Sequence, residues 1–186
     1  MKKVLLALLL ASAGTAFAQS VTVDGQNSTP NAGGNESNQL TLTARAPINK
    51  LLTVDAGISN QVTENTYKQT TRYETGLVAR TALVGPVDVY GRGAIGQKNV
   101  SGQEGFGYWS AETGVIWRTP VKGLEARVGY RYREAFAGES KLDTTNTFRY
   151  AVAYDLTQKD TLGVRYDVVN GDGANKASAV FYTRKF

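Results

Sequence analysis

From Leu40 to Phe186 apolar and polar side chains exchange places at almost every step, in blocks of about ten residues separated by turn signals. In residues 148–156, Phe148, Tyr150, Val152, Tyr154 and Leu156 fall on one face, and Arg149, Ala151, Ala153 and Asp155 on the other. A period of two describes a strand whose faces meet different surroundings. Repeated this often, it predicts an antiparallel sheet that closes on itself.

The N-terminus has the build of an export signal. Lys2 and Lys3 precede the apolar run Val4–Leu10, and Ala16-Phe17-Ala18 offers the small residues of an A-x-A cleavage site. The run is too short to cross a bilayer as a helix. The domain expectation is a cleaved signal peptide over 1–18 and one domain over 19–186. Removing the two lysines takes the formal charge from +5 to +3. No later segment is long and apolar enough for a membrane helix. A mature chain in a membrane must therefore satisfy its backbone groups as a closed barrel.

Ten strands are predicted, at 19–26, 38–47, 52–63, 67–83, 87–98, 108–118, 124–136, 147–156, 161–170 and 177–186. Eight and twelve are the alternatives. Pro30, Pro47, Pro86 and Pro120 are expected between strands, because proline lacks the ladder donor. Short turns at Pro47, Pro86, Pro120 and 157–160 should lie at one end of the barrel. The longer Gly/Asn/Ser-rich loops 27–37, 99–107, 137–146 and 170–176 should lie at the other, together with a short connection near Glu64-Asn65. That asymmetry is typical of outer-membrane barrels.

Alternation does not say which face is inside. A lipocalin-like soluble barrel buries its apolar face, whereas a membrane barrel shows it to lipid. Trp109 and Trp117 share the apolar face eight residues apart. At about 3.4 Å per residue and a tilt near 40°, that is roughly 21 Å along the membrane normal, close to the height of an apolar belt. On this reading Tyr73, Tyr130, Tyr132, Phe148 and Tyr166 join Trp109 in an outer girdle, and Tyr154, Tyr182 and Phe186 join Trp117 in an inner one.

Turning the apolar face outward puts Arg45, Lys68, Arg72, Arg80, Arg92, Lys98, Arg118, Arg127, Arg131, Arg133, Arg149, Arg165 and Lys185 inside. Asp55, Glu74, Asp88, Glu112, Glu125, Asp155 and Asp167 accompany them. Thirteen cations against seven acids concentrate positive charge on this face. Rings of Arg and Lys in a pore select anions. The solute pathway is expected to run along Arg72, Arg92, Arg127, Arg131, Arg133, Arg149 and Arg165. The competing reading is a narrow barrel whose charges pair into a plug.

With no His and no Cys, histidine- and thiol-based catalysis is excluded, so no enzyme and no cofactor is expected. Glu112 and Glu125 have arginines close by and read as ion-pair partners. Asp167-Val-Val-Asn170-Gly-Asp172 has some features of a calcium loop but reads better as a hairpin turn, and no metal is expected.

The start Val21-Thr22-Val23-Asp24, and the stretch from Leu124 through Arg127 and Tyr130-Arg131-Tyr132-Arg133 to the hairpin at 157–160, resemble the monomeric oligogalacturonate-specific porins and their sialic-acid relatives. The resemblance implies an arginine-lined lumen for acidic sugars, with Arg127, Arg131, Arg133 and Arg149 as its ladder. That family has twelve strands, so this chain is one hairpin shorter. Arg184 also stands where the family has an apolar residue before the terminal aromatic. The expected fold is an all-β, antiparallel, up-and-down transmembrane barrel in a bacterial outer membrane. The expected function is passage of small anionic solutes such as acidic oligosaccharides; the alternative is a closed structural or adhesive barrel. Expected partners are outer-membrane lipid, the barrel-assembly machinery through Phe186, and the solutes; no nucleic acid is expected.

Overall fold

The computed structural model describes residues 19–136 and 144–186. The proposed signal segment and residues 137–143 of the expected loop 137–146 lie outside the described residues.

Ten strands form: β1 (Ser20–Pro30), β2 (Ser37–Pro47), β3 (Leu52–Thr63), β4 (Gln69–Val84), β5 (Val87–Val100), β6 (Phe106–Arg118), β7 (Leu124–Ala135), β8 (Thr145–Asp155), β9 (Asp160–Gly171) and β10 (Asn175–Lys185). Each pairs antiparallel with its neighbours in sequence, and β1 pairs with β10, so the sheet closes. Followed round the barrel, the registers return to β1 displaced by about twelve residues, which tilts the strands by about 40°. Residues directly opposite one another therefore climb steadily round the wall.

Strand number and order match the sequence-based expectation; several bounds do not. β1 runs to Pro30 rather than stopping at 26, because Gln26, Asn27, Ser28 and Thr29 keep pairing with β10. Pro30 is the last residue of β1 instead of lying in a loop, and Pro47 ends β2, the bound expected for it. At the end of a strand the missing N–H costs little. The loops expected at 27–37, 99–107 and 170–176 shrink to 31–36, 101–105 and 172–174, as the strands extend into them. Polar residues were read as loop, but in this barrel polar residues also line the inside.

The faces are inverted relative to a soluble protein. Leu40, Leu77, Ile95, Val128, Val164 and Val180 point out and are each more than half exposed. Among the described residues the buried set includes Asp24, Asp55, Asp88 and Asp167, and the buried apolar side chains are mostly small, such as Ala94, Ala153, Ala177 and Ala179. The soluble-barrel alternative requires the opposite arrangement. Trp109 and Trp117 both face outward on β6. Tyr130 faces outward too but is rooted opposite Thr113, midway between them, so it starts nearer the middle of the belt than its edge. Its hydroxyl bonds Asn146, which stands opposite Tyr132, two residues further toward the Trp109 end of the wall. Tyr154 and Phe186 face outward at the other end of the wall.

Large rings that point inward need somewhere to lie. Tyr90 covers Gly114 and Gly129 on the next two strands, Tyr108 covers Gly96, and Phe181 covers Gly163. A Cβ at Gly114, Gly96 or Gly163 would overlap the ring, and one at Gly129 would overlap the Tyr90 hydroxyl. The glycines thus let the aromatics lie flat along the wall instead of standing across the lumen.

Candidate functional site: a charged lumen

A cavity of about 860 Å³ runs through the barrel and is lined by residues from all ten strands. Its walls include Ser20 and Lys185 at one end, and Gln103 and Gly173 at the other. Twelve of the lining residues are Arg or Lys and eight are Asp or Glu. Arg72, Arg92, Arg127, Arg131, Arg133, Arg149 and Arg165 all line it. They are brought together from β4, β5, β7, β8 and β9 by alternation alone, since each occupies an inward position.

Most of these arginines are held by acids. Arg92 grips Asp55 with Nε and a terminal nitrogen, both at 2.8 Å, and reaches Glu74 at 2.6 Å. Arg131 binds the other oxygen of Glu74, so a β7 cation meets a β4 acid over the top of β5 and β6. A second chain joins Glu112, Arg149, Asp167, Arg165 and Asp24 across β6, β8, β9 and β1. Arg149 lies 3.1 Å from both of its acids, and Arg165 lies 2.5 Å from Asp24. Tyr90 donates its hydroxyl to Glu112 at 2.9 Å. At the inner end Asp88 is shared by Arg80 and Arg118, and Glu125 is bound by Arg127 at 2.8 Å.

Arg72, Arg133 and Lys98 make contacts of other kinds. Arg72 donates to the amide oxygens of Gln39 and Gln61 at 3.0 and 3.2 Å. Arg133 lies over the ring of Tyr108, and Lys98 over that of Phe106. The Nε atoms of Arg127, Arg131 and Arg133 are buried without a hydrogen-bond partner, so the β7 row keeps unused donors even where its terminal nitrogens are paired.

Asp24 escaped the sequence reading. It is buried, faces inward and bonds Arg165 through both oxygens. The signal is present, since Thr22, Asp24, Gln26 and Ser28 fall on one face of β1, but their neighbours Gly25 and Asn27 are not apolar, so the alternation that marks the inward face is weak here. Asp167 and Asp172 do not converge. Asp167 is held by Arg149 and Arg165, while Asp172 accepts the backbone N–H of Thr144 in a turn where Gly171 and Gly173 have positive φ.

No family model and no curated protein matches this sequence. Solved structures do. The β domain of the Bordetella autotransporter BrkA superposes with a TM-score of 0.55 at 11% identity, covering 91% of this chain and 99% of that one. The NanC porin gives 0.54 at 10% identity, covering 89% and 100%. The KdgM porin in complex with disordered oligogalacturonate gives 0.52 at 13% identity, covering 89% and 99%. At these identities the likeness is one of fold: that of small bacterial outer-membrane barrels, including the porins that the sequence resembles.

Proposed function

We propose that this protein is an outer-membrane channel passing small anionic solutes, with carboxylate-bearing sugars the fitting class. The observation that carries the reading is the cavity itself. It is polar, reaches residues at both rims, and carries a surplus of four positive charges over its acids. Charge buried beyond what its partners neutralise is costly unless water or a ligand reaches it. Residues 1–18 act as the cleaved export signal, and the mature start is near Gln19. Lipid surrounds the belt marked by Trp109 and Trp117, and Phe186 serves as the contact for the assembly machinery.

Planar-bilayer recording of the wild type tests this. In a potassium chloride gradient the reversal potential should favour chloride, and the preference should weaken as salt rises, because screening at 0.1 M acts over about 10 Å. Replacing Arg127, Arg131 and Arg133 together by Ser removes most of the surplus and should cut the selectivity. It also leaves Glu74 to Arg92 and Glu125 to Arg80.

The second reading, a closed structural barrel, is favoured by the ion pairs that reach from β4 to β7 at two levels, Glu74–Arg131 and Arg80–Glu125. A wild type that inserts but passes no current would establish that reading and end the channel proposal.

A further inference from the structure

Arg45 lies near the inner end of β2, on a side of the lumen lined mainly by hydroxyls and amides, with Asp24 and Asp55 its acids. Its register partner on β3 is Asp55, the acid a cross-strand pair would give it. Both oxygens of Asp55 are instead occupied by Arg92, each at 2.8 Å. Arg92 arrives from β5, and Gly76 on the intervening β4 leaves the passage open. A Cβ at Gly76 would stand 3.0 Å from Asp55 Oδ1. On its other side Arg45 has Ser20 of β1. Among the described residues its guanidinium makes no ion pair and no side-chain hydrogen bond.

The charges that act on it most strongly include Asp55, Arg127, Arg92 and Glu112, and Lys185 stands one strand beyond Ser20 at the same level. Both acids are committed elsewhere, Asp55 to Arg92 and Glu112 to Arg149 and Tyr90. An arginine in an ion pair can take an incoming anion only by loosening its own acid. Arg45 has nothing to give up.

The geometry points to Arg45 as a carboxylate-binding residue of the lumen, where an organic anion is held near the inner mouth. The planar fork of its guanidinium suits a carboxylate in bidentate contact. Thr22 and Thr183, hydrogen-bonded to each other at 2.8 Å on the adjoining β1–β10 wall, offer hydroxyl oxygens to a polyhydroxylated solute. The site rests on the channel reading for its role in passage, but binding can be measured without it.

The probe is gluconate. In bilayers it should block wild-type chloride current, and in Arg45→Gln the half-blocking concentration should rise about tenfold, as expected for losing one charge-assisted contact. Anion preference should fall about fourfold, the effect of one unit charge a few ångströms from the path in a watery lumen. Arg45→Lys separates charge from fork: chloride preference is retained while gluconate block weakens. Because Arg45 holds no other side chain, both variants should keep the heat-modifiable band of the folded barrel. Gluconate block unchanged in Arg45→Gln overturns the site. If the wild type is silent the channel reading falls, and the unfolding temperature in detergent decides the site separately. A gluconate-induced rise present in wild type and absent in Arg45→Gln upholds it. Equal rises, or none, overturn it.

Discussion

The arc formed by β1, β2 and β3 differs from the arc formed by β5 to β8 on both of its surfaces. Between residues 18 and 66 the chain contains no aromatic residue, whereas Trp109, Trp117, Tyr130, Tyr132, Phe148, Tyr150 and Tyr154 stud β6, β7 and β8. The inner surfaces divide at the same place. β1 to β3 contribute Asp24, Arg45 and Asp55 among Ser20, Thr22, Gln26, Gln39, Thr41 and Gln61. β5 to β8 contribute Arg92, Lys98, Glu112, Glu125, Arg127, Arg131, Arg133, Arg149 and Asp155. Both arcs obey the same alternation, so alternation sets the fold without setting the chemistry. The charged arc is held by long ion pairs over glycine-floored rings. The less charged arc is held by its ladder, by short contacts such as the bond from Gln61 to Ser37 at 2.7 Å, and by Arg165 and Arg92 reaching in to Asp24 and Asp55. Perturbation should therefore cost much on one side and little on the other.

The largest contrast is expected from removing a shared cation. Arg92→Leu strips Asp55 of its bidentate partner, leaving it only the cross-strand Arg45, and leaves Glu74 with Arg131; it should lower stability by about 3 kcal/mol, the lower end of the usual cost of breaking a buried pair. Gln39→Leu on the less charged arc loses its bond to Arg72, and a cost near 1 kcal/mol is expected. Urea unfolding in detergent micelles, followed by tryptophan fluorescence, measures both. Equal losses would mean that the two arcs are energetically alike.

Two glycines give a contrast of middling size. Gly114→Val places a side chain into the ring of Tyr90 and should cost about 1–3 kcal/mol through overpacking. Gly25→Val on β1 meets nothing within 4 Å and adds a β-branched residue to a strand, so it should leave stability unchanged or raise it slightly. A Gly114→Val barrel as stable as wild type would show that Tyr90 can leave the wall.

The smallest effect belongs to the inner rim, outside the apolar belt. There the hydroxyls of Tyr182 and Thr157, then Arg184, hold the Asp160 carboxyl down to about 2 from its ordinary 3.8. A depressed acid contributes stability that is fully present above the ordinary value and lost as pH falls through the depressed one. Wild type should thus exceed Asp160→Asn slightly above pH 4, and the two should converge near pH 2. A gap that persists at pH 2 would assign the difference to Thr157 and the turn instead of to the charge. The same contact gives Arg184 a place in this chain. It faces outward at the rim and is anchored by Asp160 at 2.8 Å, where an unpaired cation would sit beside lipid.

Alternation, turn residues and the prolines were enough to establish ten strands, their order and the inward position of every arginine named for the pathway, because strand parity is a local property. Local reading failed where polarity carried two meanings. Asn27, Ser28 and Thr29 resemble a loop but extend β1, and Asp24, on a strand with few apolar residues to mark its outer face, is one of the lumen's acids. Composition gave the sign of the lumen's charge surplus but could not distribute it. Arg45 and Asp55 look like a pair in the register of β2 with β3, yet the registers of β3, β4 and β5, with Gly76 between, bring Arg92 close enough to take that acid. Likewise Gly114 and Gly129 are ordinary strand glycines until the register sets them under Tyr90. Which face a residue occupies follows from its place in the chain. Which partner it holds depends on distances to other strands, along the wall and across the lumen, and these exist only once the sheet has formed.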